Sequence, residues 1–471
     1  MKKQTHVVSE SIQPTPGKLR YESHLASMRV CWKSTLDEPL RRRAQETACS
    51  VAERMRNPDF VRAMAKRISY QTDYSATWSS FSLSFGDLGI ALMYDYMDKC
   101  LPGQSWHLLA QRYLDTAISG SQRFIFSSPA LYNGTSSLAI FLSLTGKEGQ
   151  GYQKLLAHLY QGLCKQILTQ TWRPPSSEGG VADRDYDIIS GAAGVLSYLI
   201  SIEQPDEVIL TAVGHILHYL TWLAEPGQPV GKERWYIPSA LLPTERHRAA
   251  TPGGHFNCGL AHGIPGPLAA LALTWLAGYQ YAGLRESIAY LANWVIEHHV
   301  DVPWGIDWPD SIPLECASLK QYWQSLPPAR AAWCYGSPGI SRSLWLAGQA
   351  LEDEHIRQVA IDAIESALRR PIASRSIPSP HLCHGVAGLL QICLHFAHEC
   401  ESMLVREQIP RLVQQLLDAF EPDSALGFCN RDEGKPLDQP SWLTGTPGVV
   451  MALLAASTSV APTWDRILVI A

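Results

Sequence analysis

The chain has 471 residues, of which 46% are hydrophobic, and its formal net charge at pH 7 is −5. This size and composition allow two or three ordinary domains, or one large repeat-built domain with a substantial core. The acidic balance and the lack of a long lysine- or arginine-rich run argue against nucleic-acid binding, because such proteins need a basic surface.

The cysteines and the apolar stretches indicate in which cellular compartment the protein is expected. Eleven cysteines stand singly along the chain, an odd number that does not suggest a disulfide framework, so a reducing cytoplasm is expected. The first residues contain no apolar segment of the kind that a secretory signal needs. The longest apolar stretches, residues 264–277 and 449–456, are interrupted or shorter than the ~20 residues of a span, so no transmembrane segment is predicted.

One structural unit recurs along most of the chain. Residues 1–38 are polar and aperiodic, which predicts a loosely ordered N-terminal extension, and residues 39–471 are predicted to form one domain. Within that domain an amphipathic helix, a loop, a Gly-x-x-Gly sequence and a mostly apolar helix repeat. The first glycines of the seven copies are Gly86, Gly134, Gly191, Gly263, Gly336, Gly385 and Gly445.

Two kinds of helix alternate in these repeats. Residues 152–168 and 356–368 place apolar side chains at i, i+3, i+4 and i+7, the pattern of a helix with one buried face. The helices after the Gly-x-x-Gly sequences are apolar on nearly all sides, which indicates that they are covered on every side. The alternation predicts an all-α fold, an α/α toroid of seven helical hairpins in two concentric layers.

Two connections interrupt the helical pattern. Residues 225–257 and 301–329 are rich in proline, glycine and tryptophan and show no helical period. We expect them to form small irregular or β-rich insertions beside the mouth of the ring.

Equivalent positions of successive repeats should meet at one end of a closed ring. The residues just before the first glycine include His262, Tyr335 and His384, and the residues one place earlier include Cys334 and Cys383. These side chains come from three consecutive repeats, so they are predicted to converge on one rim of the central cavity.

The two cysteines and the adjacent histidine form a candidate zinc site. Two thiolates and one imidazole are typical zinc ligands, and three protein ligands leave a fourth tetrahedral position for water or substrate. The helix N-termini beneath Cys334 and Cys383 favour the thiolate form. Asp187, four residues before Gly191 in the preceding repeat, is expected to join His262 at the same rim.

Each of these residues also has a purely structural interpretation. A cysteine near a helix start is most often a small buried side chain, His262 can be satisfied by a neighbouring carbonyl, and Asp187 can cap the helix that follows it. The recurrence of the cysteines at equivalent repeat positions favours the metal site. Cys258 and Cys429 lie in loops, and the sequence does not decide whether they approach the mouth.

The stretches WCYGSPG, CHGVAGLL, GLAHGIPGP and YDIISGAAG resemble those of the LanC family of lanthionine cyclases, and the resemblance covers roughly residues 40–471. It implies an α/α toroid with one zinc ion bound by Cys334, Cys383 and His384. It also implies that His262 and Asp187 take part in acid–base steps.

The same resemblance places Arg330 and Tyr335 near the metal, where we expect them to contact the substrate. It implies a zinc-dependent cyclase that adds cysteine thiolates to dehydroalanine or dehydrobutyrine in a ribosomal precursor peptide, closing lanthionine or methyllanthionine rings. The chain has no room for dehydratase or kinase-like modules, so it resembles the stand-alone cyclases. A separate dehydratase and a transporter are therefore the expected partners, and the expected location is the cytoplasm, with membrane contact through those partners.

Three alternatives stay open on the sequence alone. A LanC-like enzyme that adds glutathione to dehydroamino acids would use the same metal and histidine. An α/α-toroid glycoside hydrolase would need facing carboxylates, for which only Asp87 and Asp187 lie near inner-helix starts, and it leaves the Cys-Cys-His set unexplained. A noncatalytic scaffold of a synthetase complex would bind peptide without accelerating ring formation.

Overall fold

Two layers of helices form the body of the protein. The structure is a computed structural model, and it describes residues 32–69, 78–121, 126–146, 149–170, 172, 179–226, 232–242, 244–431 and 436–471. The inner helices are Asp87–Cys100, Thr135–Thr145, Ala192–Leu199, Pro265–Leu276, Ser337–Leu351, Val386–Glu399 and Thr446–Ser457. The outer helices are Glu38–Arg54, Trp106–Ser121, Gln150–Thr169, Glu207–Leu223, Leu284–Glu297, Glu354–Arg369 and Met403–Asp418. None of the described helices is long and apolar enough to span a membrane.

The inner helices form a closed ring. Each contacts the next one, and Thr446–Ser457 completes the circle against Asp87–Cys100. Each of the first six inner helices pairs with the outer helix that follows it, whereas Thr446–Ser457 pairs with Glu38–Arg54 from the beginning of the domain. The predicted α/α toroid of seven hairpins is confirmed, and the N-terminal helix supplies the last outer member.

The burial of the helices follows from their residue patterns. The outer helix Gln150–Thr169 buries Leu159, Leu163, Cys164 and Ile167 along one face, as the amphipathic spacing predicts. In the inner helix Thr446–Ser457 every side chain is buried. A helix without a polar face is stable only when neighbours cover it all round, so the inner layer depends on the outer layer.

The two insertions contain short strands that join them to each other. The strands are β1 (His255–Asn257), β2 (Val300–Val302), β3 (Gly305–Asp307) and β4 (Ser311–Pro313). β1 pairs antiparallel with β4, and β2 pairs antiparallel with β3. The short strands expected in the irregular connections are thus present.

The segment before the first helix packs on the ring. The indole nitrogen of Trp32 donates to the carbonyl of Ala455 at 2.9 Å, and the ring of Trp32 stacks on that of His398 at 4.1 Å. Residues 1–31 lie outside the described residues, and their loose order stays a prediction. The described end of the predicted extension is therefore attached to the last inner helix.

The centre of the ring is filled by the C-terminal residues of the same chain. The hydroxyl of Tyr132 donates to the carbonyl of Ile467 at 2.8 Å, and the indole nitrogen of Trp333 donates to the carbonyl of Leu468 at 3.0 Å. Arg342 Nε donates to the carbonyl of Ile470 at 2.5 Å. Tyr132 belongs to the second repeat, and Trp333 and Arg342 belong to the fifth, so the tail ties inner segments of two distant repeats together.

A buried charge network holds this tail. Arg342 donates two hydrogen bonds to the carboxylate of Glu399, at 2.6 and 2.8 Å, and His395 Nε2 lies 2.6 Å from Asp465 Oδ2. Burial alone would raise the pKa of Glu399, but the charge of Arg342 and the hydrogen bonds from His395 and Arg342 together outweigh it and lower the pKa to about 2. The ionised Glu399 therefore stabilises the folded protein fully at a pH above 4.5, the ordinary pKa of a glutamate, and this stabilisation is lost as the pH falls towards 2.

We expect Glu399→Gln to lower the free energy of unfolding by about 3–5 kcal/mol, since it leaves the buried guanidinium of Arg342 without its counter-charge. Chemical denaturation at neutral pH measures the loss. The matched control is Glu354→Gln, because Glu354 is 77% exposed in its pair with Arg357, and its effect should stay below about 1 kcal/mol. Equal losses in the two variants would contradict a structural role for the buried pair.

Candidate functional site

Backbone hydrogen bonds between neighbouring repeats align the segments that precede the inner helices. The N–H of Ala261 donates to the carbonyl of Cys334 at 3.2 Å, that of Cys334 to Cys383 at 3.1 Å, and that of Cys383 to Leu443 at 2.9 Å. These four residues occupy the same place in successive repeats. Side chains that are distant in sequence therefore lie side by side at one rim.

Cys334, Cys383 and His384 meet at this rim. Each offers one ligand atom, and these atoms all lie within 4.8 Å of one another. Among the described residues, no other group of three or more cysteine, histidine or acidic side chains is compact enough to hold a metal ion. Burial alone would raise the pKa of Cys334, but hydrogen bonds with the side chains of Cys383 and His384, together with the charges of His384 and Arg330, outweigh it and lower the pKa.

A tight turn leads from Cys334 into the inner helix Ser337–Leu351. Gly336 has φ +86°, and a Cβ at this position would lie 2.0 Å from the carbonyl oxygen of Arg330. Only glycine adopts this conformation without strain and fits this close approach. The glycine therefore brings the ligand loop close to the start of the helix.

His262 and Asp187 form a hydrogen-bonded pair. His262 Nδ1 lies 2.7 Å from Asp187 Oδ2, while Asp187 Oδ1 accepts from the backbone N–H groups of Ser190 and Gly191 at 2.7 and 2.8 Å. One carboxylate thus both caps the next inner segment and orients the imidazole. The side chain of Asp187 is 2% exposed and that of His262 is 39% exposed, so the histidine is the accessible member.

The pair changes the acid strength of the imidazole. Burial of His262 favours its neutral form, but the hydrogen bond to Asp187 and the charge of Asp187 outweigh burial and raise the pKa of His262. The protonated form therefore persists to a higher pH than in a free histidine.

Arg330 and Tyr335 lie four residues before and one residue after the candidate ligand Cys334. The positive charge of Arg330 contributes to lowering the pKa of Cys334. The hydroxyl of Tyr335 accepts a hydrogen bond from Asn257 Nδ2 at 3.0 Å, and burial raises the pKa of Tyr335.

Two residues near the site were not singled out from the sequence. Asn257 lies five residues before His262, and the ring of His381 packs edge-on against that of His384, with the centroids 4.4 Å apart. Both residues lie within five positions of a candidate site residue in the sequence, and this proximity could have pointed to them.

The two loop cysteines whose position the sequence left open stay outside the ligand group. Cys258 is buried and its Sγ donates to the carbonyl of Phe256 at 3.8 Å. Cys429 Sγ donates to the carboxylate of Glu421 at 3.7 Å. Burial raises the pKa of both thiols, which favours their neutral form.

Comparison with known proteins agrees with this architecture. The sequence model of the family described as "Lanthionine synthetase C-like protein" matches residues 77–469. The chain is 24% identical over 386 residues to "Nisin biosynthesis protein NisC" of Lactococcus lactis subsp. lactis, covering 79% of this chain and 90% of that protein. It is also similar to the solved structure "Nisin cyclase", with a TM-score of 0.70 and 22% identity, covering 87% of this chain and 97% of the other. Since the family match spans most of the chain, the protein belongs to the lanthionine synthetase C-like family.

Proposed function

We propose that this protein is a zinc-dependent cyclase that forms lanthionine or methyllanthionine rings in a dehydrated precursor peptide. The observation that carries the proposal is one rim that combines a Cys-Cys-His ligand set with a histidine–aspartate pair. Membership of the family supports the reaction, and a relative named for nisin biosynthesis supports a peptide substrate.

The ligand set fits zinc. Two sulfur atoms and one imidazole nitrogen lie close enough for a common ion, and two thiolates would neutralise its charge. Cys334, Cys383 and His384 would hold the ion. When bound there, zinc would act as a Lewis acid that lowers the pKa of an incoming cysteine thiol from its free value of about 8.5.

His262 is the proposed proton donor of the addition. The peptide sulfur bonds to the β-carbon of the dehydroamino acid, the alkene electron pair moves into an enolate, and the α-carbon takes a proton from His262 Nε2. Nδ1 is engaged by Asp187, so Nε2 is the ring nitrogen that remains for the substrate. The thiol loses one proton and the α-carbon gains one, so the reaction is an isomerisation without a net change in mass.

Asp187, Arg330 and Tyr335 have supporting roles in this proposal. Asp187 holds the imidazole in one orientation and stabilises its protonated form. Arg330 and Tyr335 would stabilise the enolate oxygen, since preorganised donors are most effective where charge develops in the transition state.

Two peptides test the proposed function. With a dehydrated peptide that contains cysteines, the protein should remove one alkylatable thiol for each ring, as counted by mass after alkylation. With a dehydrated peptide that lacks cysteines, added glutathione should produce no mass increase. Rapid glutathione addition without ring formation would support the glutathione-adding alternative, and rates equal to those of metal-stripped protein would support a noncatalytic scaffold.

The substrate chemistry also points to partners. The peptide must already carry dehydroamino acids, so a dehydration has to precede ring closure, and a dehydratase and a transporter are the proposed partners. The cysteines of the described ranges are free thiols, which supports a reducing cytoplasm. We propose that the protein acts there and meets the membrane through these partners.

A further inference from the structure

The side chain of Asn257 has a defined orientation next to the site. Asn257 ends strand β1, pairs with Ser311 of β4, and is 6% exposed. Its Oδ1 accepts a hydrogen bond from the backbone N–H of Gly259 at 3.0 Å. A reversed amide would point its NH₂ group at this N–H donor, so the hydrogen-bond pattern assigns the nitrogen to the other side.

That nitrogen faces the hydroxyl of Tyr335. Asn257 Nδ2 lies 3.0 Å from the phenolic oxygen, and an amide nitrogen can only donate, so the phenolic oxygen must accept. For the residues that the structure describes, this is the hydrogen bond that the Tyr335 hydroxyl makes. Its own hydrogen is therefore left to point elsewhere, and the half-buried ring lies beside the ligand Cys334.

The turn after β1 also fits the tyrosine ring. A Cβ at Gly259 would lie 2.6 Å from Cδ1 and 2.7 Å from Cε1 of Tyr335, so the ring packs directly on this backbone. The same turn is closed by the carbonyl of Asn257, which accepts from the N–H of Ile264 at 3.3 Å. His262 lies within this turn. One short loop of the insertion thus positions both the tyrosine and the histidine.

We propose that Asn257 is a positioning residue, which occupies the acceptor side of the Tyr335 hydroxyl and leaves its O–H to donate to the enolate oxygen of the substrate. This inference rests on the proposed function, in which Tyr335 stabilises that oxygen. It gives the β-bearing insertion a part in the reaction.

Four proteins test the proposal: wild type, Asn257→Asp, Tyr335→Phe and the double variant. Aspartate keeps an oxygen for the Gly259 N–H but puts a second acceptor in place of Nδ2, so the tyrosine hydrogen turns towards it. We expect Tyr335→Phe to lower kcat for ring formation about 100-fold. Asn257→Asp should lower kcat about tenfold with little change in KM, because the lost interaction forms in the transition state.

The double variant separates positioning from folding or charge. If Asn257 acts through the tyrosine hydroxyl, adding Asn257→Asp to Tyr335→Phe should change kcat by less than about twofold. An equal loss in both backgrounds, or an unchanged kcat in Asn257→Asp alone, would overturn the proposal. Zinc content and the unfolding midpoint are measured for all four proteins. Asn257→Ser is the second variant, since its hydroxyl can still serve the turn but is too short to reach Tyr335.

The same four proteins also show whether the positioning role of Asn257 or the proposed cyclase function has failed. A wild-type protein that forms no rings would contradict the function itself. A fully active Tyr335→Phe would remove the enolate role of the tyrosine, and with it the role of Asn257, while leaving the cyclase function in place. Additive losses in the double variant would contradict only the positioning role.

Discussion

Purified Cys383→Ala protein is expected to contain almost no zinc, whereas the wild type should contain about one ion per chain. The variant should also lose ring formation. Removal of one of the two thiolates would leave two protein ligands, too few for a tetrahedral site. It would also leave one positive charge of the ion without a neutralising thiolate. Elemental analysis after dialysis measures the metal, and the alkylation assay measures ring formation.

Cys393→Ala is the matched control for this prediction. Cys393 is the eighth residue of the inner helix Val386–Glu399, which follows Cys383. Its side chain is fully buried, and burial raises its pKa to about 12. This thiol stays neutral, so its removal should leave zinc content and ring formation unchanged and cost only some packing. Equal zinc in Cys383→Ala and wild type would remove Cys383 from the site.

Replacement of His262 by alanine should lower kcat by about 10²- to 10⁴-fold, the usual contribution of a general acid or base. Zinc content should be retained, because His262 does not belong to the ligand group. Steady-state kinetics of ring formation measures the loss. The same loss in zinc as in Cys383→Ala would contradict an acid role, since it would place the histidine among the ligands.

The pH dependence of Asp187→Asn tests the same role more directly. His262 donates a proton, so activity should fall as the pH rises through the raised pKa of His262. Asparagine keeps an oxygen for the N–H groups of Ser190 and Gly191 but removes the charge that raises this pKa. The alkaline limb of kcat should therefore move to lower pH. An unchanged alkaline limb would assign it to a different group.

Much of the fold could be predicted because its information is local and repeated. The seven glycine-containing openings and the alternation of half-buried and fully buried helices are readable within each repeat. The ligand group followed from comparing positions, since Cys334 and Cys383 stand at the same place in consecutive repeats. In the structure, a backbone hydrogen bond joins these two equivalent positions directly.

Contacts between distant, non-equivalent segments could not be predicted in the same way. Nothing in the pattern of residues 225–257 and 301–329 specifies that β1 pairs with β4, and this pairing is what anchors Asn257 beside Tyr335. The repeat pattern also does not specify the place of the C-terminal residues, which lie at the centre of the ring.

The sequence by itself therefore determined the repeated architecture and predicted the candidate ligand residues and the candidate acid–base pair, because these depend on periodic burial and on equivalent positions. The tertiary structure decided which side-chain atoms meet: one oxygen of Asp187 on His262 and the other on the backbone, and the amide of Asn257 on the hydroxyl of Tyr335. Hydrogen bonds of this kind depend on orientation within a few tenths of an ångström, which no spacing along the chain encodes.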